Sequence, residues 1–272
     1  MIRDKCRPVV GVLCSNRIIN GGSFNVVLDK YLEALRRLSG CEALLIPATT
    51  DIVSIPNILK SVHGILLPGS RTMVHPSTYG EEEAYTQHEF DRQRDKAAFA
   101  LVQYAVKTKM PLLGICRGMQ EIVCALGGGL HQDLERLQRP ILNHRVPATT
   151  NYEERYYPVH SISINAGGML NEMNKNIGWK REVKVNSLHN QCVNLLPECL
   201  RVEAKSEDGV TEAVSTTESS HWLMGVQWHP EWHENLMPIN ALLFKSFGCA
   251  CREYEKRATK PSSTTRIFQN LP

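Results

Sequence analysis

The amino-acid sequence predicts a three-layer α/β fold, with a mostly parallel central sheet, helices on both faces and an antiparallel extension. Short apolar runs alternate with amphipathic helical patterns through the first half of the chain, as in βαβ units. Two of these runs, Gly64–Pro68 and Leu112–Ile115, are apolar almost throughout, as expected of parallel strands covered on both faces. The second half contains short strand patterns joined by turn residues, which indicates antiparallel strands.

The first half carries four strand patterns and four helical patterns in alternation. The strand patterns are rich in apolar and β-branched residues and cover Val9–Cys14, Glu42–Ala48, Gly64–Pro68 and Leu112–Cys116. The helical patterns repeat apolar residues at three- and four-residue spacing and cover Val26–Leu38, Ile55–Val62, Phe90–Lys107 and the residues from Met119 to Leu126. We expect the polar segment Ser15–Asn25 to be a loop.

The second half predicts the antiparallel extension and a closing helix. Its strand patterns are His160–Asn165, Lys184–Ser187, Leu200–Lys205, Thr211–Ser215 and Met224–Gln227. Ser206–Gly209 predicts a hairpin turn between the third and fourth of these, and Leu236–Tyr254 predicts a helix. No repeat or interdomain linker is visible, so we expect one domain over residues 8–257. Residues 258–272 lack periodicity, and we expect a flexible tail.

The polar segment Ser70–Glu89 leaves directly from the end of a predicted strand. A loop of this length in a compact domain is usually functional or disordered. Because active-site loops grow from strand ends in this architecture, we expect a lid over the crevice. The alternative is a solvated acidic loop that leads into the next helix.

Composition excludes several classes of function. The 272 residues carry a net charge of +3 and are 42% hydrophobic, which does not indicate a nucleic-acid or membrane-surface protein. No apolar run approaches the ~18 residues of a membrane span, and no secretory leader is visible. The nine cysteines are odd in number and lack the spacing of a disulfide framework. We therefore expect a reducing, cytoplasmic setting.

No cluster of cysteine and histidine residues has metal-ligand spacing. His229 and His233 are four residues apart, but Pro230 interrupts the helix that such a pair needs, and a zinc site needs three or four ligands. We therefore expect no metal and no other cofactor, and we expect activity to survive chelation.

Cys116 lies in a pattern typical of a nucleophile. Gly114 and Gly118 flank it in a Gly-x-Cys-x-Gly sequence between a predicted strand and a predicted helix, which matches the nucleophile elbow with sulfur in place of oxygen. A helix N-terminus favours the thiolate form of cysteine. The alternative is a buried cysteine in a Rossmann-like turn, which the short pattern alone leaves open.

His229 and Glu231 follow the predicted strand Met224–Gln227. Their positions, two residues apart just past a strand end, allow the carboxylate to hold one ring nitrogen while the other faces Cys116. A nucleophile, a base and a group that orients the base are the parts of a thiol hydrolase. Alone, His229 could equally be a histidine in a surface loop.

Matching segments run in order from about residue 8 to residue 255, and on them the chain resembles the class I glutamine amidotransferase-like family. Within that family it is similar to gamma-glutamyl-gamma-aminobutyrate hydrolases, enzymes of putrescine and polyamine degradation. The segments are Gly64–Ser70, Pro76, Tyr79-Gly80, Ile115–Gly118, Gln120-Glu121, Gly127-Gly128, Asn186–His189, Gln191, Leu200–Ala204, Asp208-Gly209 and Gly225–Trp232.

The resemblance implies a class I glutamine amidotransferase-like fold and assigns residues to roles. The catalytic triad falls on Cys116, His229 and Glu231, and the oxyanion donors fall on the backbone amides of Gly69 and Arg117. Residues implied to bind the glutamyl part of the substrate are Gln120, Ser187, His189, Asn190 and Gln191.

The implied activity is hydrolysis of a small gamma-glutamyl compound to glutamate and free amine through a glutamyl-thioester. The partner is a small-molecule substrate, and a homo-oligomer stays open. Two other classes also stay open: a glutaminase-type amidotransferase subunit that delivers ammonia to a separate synthetase, and a non-catalytic scaffold of the same fold.

The substrate suggested by the resemblance carries a second carboxylate beyond the bond that breaks. An arginine matches a carboxylate with its planar fork of donors. The candidates near the crevice are Arg71 and Arg145. For each of them, the alternative is a solvated surface arginine.

Overall fold

The chain is seen in a computed structural model that describes residues 7–84, 88–134, 137, 142–145, 149, 151–175 and 182–258. Its main feature is a nine-stranded sheet. Five parallel strands form one side of this sheet: β1 (Val9–Leu13), β4 (Glu42–Ile46), β5 (Gly64–Leu67), β6 (Leu112–Ile115) and β13 (Leu223–Val226). They lie in the order β4-β1-β5-β6-β13.

Four antiparallel strands extend the sheet from β13. They are β12 (Thr211–Thr216), β11 (Leu200–Ser206), β8 (His160–Ile164) and β9 (Glu182–Val185), in that order across the sheet. Strands β11 and β12 form the hairpin predicted around Ser206–Gly209. The predicted fold class is confirmed.

Helices cover both faces of the sheet because successive strand residues point to opposite sides. One face packs α1 (Asp29–Ala34), α5 (Met169–Asn174) and α6 (Pro238–Ala258) against strand residues such as Leu113 and Ile115. The other face packs α2 (Ile55–Ile58), α3 (Arg92–Thr108) and α4 (Arg117–Ala125) against Ile65, Leu67 and Leu112. The core therefore has two halves, separated by the sheet.

Several predicted segments differ from the structure. The predicted loop Ser15–Asn25 is a hairpin of β2 (Ser15–Ile19) and β3 (Gly22–Val26), closed by the left-handed residues Asn20 and Gly21. The pair β7 (Gly129–His131) and β10 (Cys192–Leu195) forms a small sheet, and α5 was also missed. These strands are short and half exposed, so their residues show little apolar periodicity.

Other predictions fall partly outside the described residues. The predicted tail begins at residue 258, which ends α6, and the rest of it is not described. Most of the lid segment is described. It contains a 3₁₀ turn at Pro76–Tyr79 and a bridge between Met73 and Phe90, and its closing over the crevice stays a prediction. None of the helices in the described part of the chain combines the length and apolar character that crossing a membrane requires.

The topology brings three strand ends together. Strands β5, β6 and β13 are adjacent and parallel, so their carboxyl ends lie at one edge of the sheet. Gly69, Cys116 and His229 follow these three strands by one to three residues. This edge is where parallel sheets place their ligands.

Candidate active site

Cys116 forms a strained turn between β6 and α4. Its φ of 51° and ψ of −106° are rare for a residue with a side chain, and such strain persists where the surroundings impose it. The Cys116 amide donates to the carbonyl of Val226 at 2.7 Å. A Cβ on Gly114 would lie 2.6 Å from the Gly118 carbonyl carbon, and one on Gly118 would strike the Leu67 carbonyl oxygen. The turn therefore needs glycine on both sides of the cysteine.

His229 is held by a buried asparagine and a carboxylate. The His229 amide donates to Asn186 Oδ1 at 2.7 Å, and Asn186 Nδ2 donates to the His229 carbonyl at 2.9 Å. Nδ1 of the ring lies 2.7 Å from Glu231 Oε1. Cys116 lies close enough to the same ring to affect its charge, and Nε2 is the ring nitrogen that Glu231 does not contact. The structure therefore brings the three predicted triad residues close together, with Glu231 and Cys116 both beside the His229 ring, and their catalytic role stays a prediction.

The charges of this site favour a protonated histidine. Burial lowers the pKa of His229, but the Glu231 carboxylate and the neighbouring Cys116 outweigh burial and raise that pKa to about 10. At neutral pH the ring is therefore an imidazolium. An imidazolium beside a cysteine stabilises the thiolate, which is the nucleophilic form.

Tyr31 of α1 reaches this site although the sequence indicates only a core residue. Its Oη accepts a hydrogen bond from the Gly69 amide at 3.0 Å and lies 3.3 Å from Nδ1 of His229. Burial raises the pKa of Tyr31 well above its usual range, and Glu231 and Cys116 raise it further. The side chain therefore stays a neutral hydroxyl. The apolar periodicity of Val26–Leu38 predicts a helix, but it does not show what the hydroxyl of Tyr31 touches.

The two predicted oxyanion donors lie beside Cys116. Gly69 follows β5, and a Cβ there would lie 2.7 Å from His229 Cε1 and 3.4 Å from Cys116 Cβ. Arg117 is the first residue of α4, whose N-terminal amides have no partner within the helix. Because the Gly69 amide donates to Tyr31 Oη, an oxyanion at this position has to compete with that hydroxyl. The oxyanion role of both amides stays a prediction.

A buried ion network lies beneath the elbow, and the sequence did not indicate it. Arg117 donates to Glu121 Oε1 at 2.8 Å and to Asp95 Oδ1 at 2.6 Å. Arg94 donates to the same Glu121 through Nε at 2.8 Å and also to the carbonyl of Pro68. Burial raises the pKa of Asp95 to about 6, against the opposing effect of Arg117. The network joins the start of α4 to the chain that leads into Gly69.

A pocket of about 460 Å³ opens over Cys116 and His229, a volume typical of small-molecule sites. Among the predicted substrate-binding residues, Gln120, His189, Asn190 and Gln191 line it. The described residues that form its wall include three arginines, Arg71, Arg117 and Arg155, and no aspartate or glutamate. The pocket therefore suits an anionic ligand.

Two of these residues are hydrogen-bonded within the protein. Gln120 Nε2 donates to the Gln191 carbonyl at 2.9 Å and to Gln227 Oε1 at 3.1 Å. The Gln191 side chain accepts from the amide of Val74 at 2.9 Å and donates to its carbonyl at 3.0 Å. Gln191 thus fixes the beginning of the lid segment through both atoms of its amide group.

The remaining predicted residues lie elsewhere. Ser187 is fully buried, and its hydroxyl donates to the carbonyl of His144 at 3.2 Å, so it lies behind the pocket wall. Arg145 is bound to Asp133 at 3.1 Å and does not line the pocket as described. Arg155, which lies over the ring of Tyr152 at 5.6 Å, was missed because nothing in its local sequence distinguishes it.

Comparisons with known proteins found a matching family and several relatives. The model of the family described as Peptidase C26 matches residues 8–231. Gamma-glutamyl-gamma-aminobutyrate hydrolase PuuD of Escherichia coli is 36% identical over 250 residues, which are 91% of this chain and 94% of that protein. A protein provisionally named a glutamine amidotransferase, from Schizosaccharomyces pombe, is 30% identical over 89% of this chain and 86% of its own length.

A solved structure shows the same fold at lower sequence identity. The crystal structure of a glutamine amidotransferase from Thermotoga maritima superposes with a TM-score of 0.51 at 14% identity. The superposition covers 94% of this chain and 99% of that one. At this identity the likeness concerns the fold alone.

Proposed function

The chain belongs to the Peptidase C26 family, and we propose that it is a cysteine hydrolase that cleaves the gamma-glutamyl amide bond of a small compound. The expected substrate is gamma-glutamyl-gamma-aminobutyrate, which would place the enzyme in putrescine breakdown. The observation that carries the proposal is the strained Cys116 beside a His229 ring whose Nδ1 lies 2.7 Å from Glu231. The described cysteines are all free, which favours a reducing compartment such as the cytoplasm.

The first half of the reaction forms a thioester. The Cys116 thiolate attacks the gamma-carbonyl carbon, a carbon–sulfur bond forms, and the carbonyl oxygen becomes an oxyanion. The amides of Gly69 and Arg117 are the proposed donors to it, and such a donor is typically worth ~3 kcal/mol. The carbon–nitrogen bond then breaks while the His229 imidazolium gives its proton to the leaving amine.

The second half releases glutamate. Neutral His229 takes a proton from a water molecule as the oxygen attacks the thioester carbon. The carbon–sulfur bond breaks, and the thiolate leaves beside the regenerated imidazolium. Glu231 accepts the hydrogen bond from Nδ1 throughout and so holds Nε2 toward the sulfur.

The pocket suggests how the substrate is oriented. Gln120 and the backbone of the loop from His189 to Gln191 lie on the wall beside Cys116 and are proposed to hold the amino and carboxylate groups of the glutamyl part. Arg71 and Arg155 lie on the same wall and are proposed to receive the distal carboxylate. Hydrogen bonds to charged groups contribute about 1.5–3 kcal/mol each, so one arginine supplies ~10- to 100-fold in preference.

The competing function is that of an amidotransferase subunit, which the similarity to the Schizosaccharomyces pombe protein favours. Such a subunit uses free glutamine, which has no distal carboxylate. The arginine-bearing pocket without acidic wall residues instead favours a substrate with two carboxylates.

A substrate comparison tests the proposal. The purified chain is offered gamma-glutamyl-gamma-aminobutyrate, a gamma-glutamyl alkylamide and glutamine, and glutamate release is followed. We expect kcat/KM to be at least ~10-fold higher for the first substrate. Activity should vanish in Cys116→Ala and persist in Cys199→Ala, which changes an exposed cysteine. A preference for glutamine would instead favour the amidotransferase function.

A further inference from the structure

A buried cluster of histidines surrounds a glutamate behind the pocket wall. Glu212 of β12 is fully buried, and neither of its carboxylate oxygens makes a hydrogen bond within the described residues. His144, His160 and His189 are buried around it. Neither ring nitrogen of His160 makes a hydrogen bond in the described structure, and the same holds for Nε2 of His189. Buried polar groups are normally satisfied, so this arrangement needs a further partner.

Distances within the cluster match those of a metal site. Glu212 Oε1 lies 3.2 Å from His160 Nε2, 3.5 Å from His144 Nδ1 and 3.9 Å from His189 Nε2. The donor atoms of His144, His160 and Glu212 all lie within 4.8 Å of one another. Tetrahedral zinc with bonds of about 2.0–2.1 Å holds its ligand atoms ~3.3 Å apart, so small movements of the side chains would centre an ion among them.

Hydrogen bonds on the far side of two histidine rings orient the other ring nitrogen of each toward Glu212. His144 Nε2 lies 2.9 Å from Asp208 Oδ2, and Asp208 also accepts from the amide of Leu142 at 2.9 Å. His189 Nδ1 lies 2.9 Å from the carbonyl of Gln191. When these nitrogens carry the protons, His144 Nδ1 and His189 Nε2 keep lone pairs. A carboxylate or carbonyl behind each histidine is the usual support of a metal-binding imidazole.

Ser187 leaves the inner nitrogen of His144 available. Its Oγ lies 3.2 Å from His144 Nδ1 but also 3.2 Å from the His144 carbonyl. The single hydroxyl proton satisfies the carbonyl, so it is not donated to the ring. The lone pair on Nδ1 then points toward Glu212.

We propose that His144, His160 and Glu212 bind one divalent transition-metal ion of the zinc type, with His189 as the fourth ligand. Two or three imidazoles and a carboxylate in a buried, four-coordinate arrangement favour zinc over magnesium or calcium, which take oxygen ligands. The role of the ion is structural, because no step of the proposed hydrolysis passes through this cluster. The bound ion would join β8 and β12 to the loop that forms the pocket wall at His189.

The proposed site departs from the expectation that the chain binds no metal. That expectation rested on the spacing of ligands along the sequence. Here the ligands come from four separate segments, two strands and two loops. They are therefore too far apart in the sequence to form a recognisable ligand motif. Only the fold brings them together.

Metal content tests the proposal independently of activity. The full chain is purified without chelator from cells supplied with zinc, and bound metal is measured by elemental mass spectrometry. We expect about one ion per folded chain, as structural sites bind zinc tightly. Glu212→Gln and His160→Ala should each lower the bound metal at least ~10-fold, since each removes one ligand. His221→Gln, at a buried histidine bonded to the Met110 carbonyl, should retain it.

A metal titration of the wild-type chain tests the proposed site even where a variant fails to fold. Protein stripped with a strong chelator is titrated with cobalt(II), and the visible bands of tetrahedral cobalt(II) bound to nitrogen and oxygen are recorded. We expect saturation at one cobalt per chain, reversed by added zinc, and a rise in melting temperature with zinc. A stripped protein that stays folded and takes up neither metal would overturn the proposal.

Discussion

Replacing Glu231 with glutamine tests whether the carboxylate sets the charge of His229. The glutamine keeps the size of the side chain and can still contact Nδ1 of His229, which lies 2.7 Å from Glu231 Oε1. What it removes is the negative charge. Burial then acts with less opposition, so the pKa of His229 should fall well below about 10.

The size of the effect follows from that pKa. A rise from 6.5 to about 10 corresponds to ~5 kcal/mol at roughly 1.4 kcal/mol per pKa unit. Glu231 is the largest of the contributions that raise this pKa and Cys116 is the next, so we assign roughly half of the ~5 kcal/mol to Glu231. Half of that free energy corresponds to a decrease of about 10²-fold in kcat/KM. Loss of the correct tautomer of His229 can extend the decrease to about 10⁴-fold.

The assay is kcat/KM for glutamate release as a function of pH, together with the rate at which iodoacetamide alkylates Cys116. In the wild type we expect fast alkylation at neutral pH, because an imidazolium beside a cysteine favours the nucleophilic thiolate. In Glu231→Gln alkylation at neutral pH should be slower, because His229 is less often an imidazolium there. Glu234→Gln is the matched control, since Glu234 pairs with Arg37 outside the pocket.

The same histidine gives stability a defined pH dependence. A pKa raised from 6.5 to about 10 in the folded chain contributes stability that is complete below pH 6.5 and is lost as pH rises through about 10. Thermal melting should therefore show a smaller alkaline loss in Glu231→Gln than in the wild type. A variant that keeps wild-type activity within a few-fold and an unchanged alkylation profile would refute this reasoning.

Two further predictions concern the pocket and the elbow. Arg155→Ala should raise KM for gamma-glutamyl-gamma-aminobutyrate ~10-fold or more and leave KM for a gamma-glutamyl alkylamide nearly unchanged. Arg145→Ala, outside the pocket, should change KM for neither substrate. An equal rise in KM for both substrates in Arg155→Ala would contradict the assigned role. Gly118→Ala should lower the free energy of unfolding by several kcal/mol, ~3 or more, because its Cβ would strike the Leu67 carbonyl. In Gly129→Ala the new Cβ would lie 3.7 Å from its nearest neighbour, so urea denaturation should distinguish the two, and similar midpoints would contradict the packing argument.

The sequence predicted those parts of the fold that local patterns encode. The parallel strands are short apolar runs, and the elbow around Cys116 has glycines on both sides because the backbone approaches closely there. His229 and Glu231 are two residues apart, so their contact is also nearly local. The fold class and the family were therefore both predictable, and both are confirmed.

The rest depends on contacts between residues far apart in the chain. Tyr31 and His229 are 198 positions apart, and nothing near Tyr31 shows that its hydroxyl meets the Gly69 amide. The hairpin that replaces the predicted loop at Ser15–Asn25 consists of polar, half-exposed strands. The cluster around Glu212 likewise draws its members from four segments. Periodicity reports which side of an element is buried, but it does not report what that side touches.

The central claim is that Cys116 carries the glutamyl group during turnover. Wild-type protein is mixed with gamma-glutamyl-gamma-aminobutyrate and quenched in acid within one turnover, and its peptides are examined by mass spectrometry. The account predicts a glutamyl adduct on the peptide that contains Cys116, absent from Cys116→Ala, which should also release no glutamate. An adduct on another cysteine, or glutamate release that persists in Cys116→Ala, would contradict it.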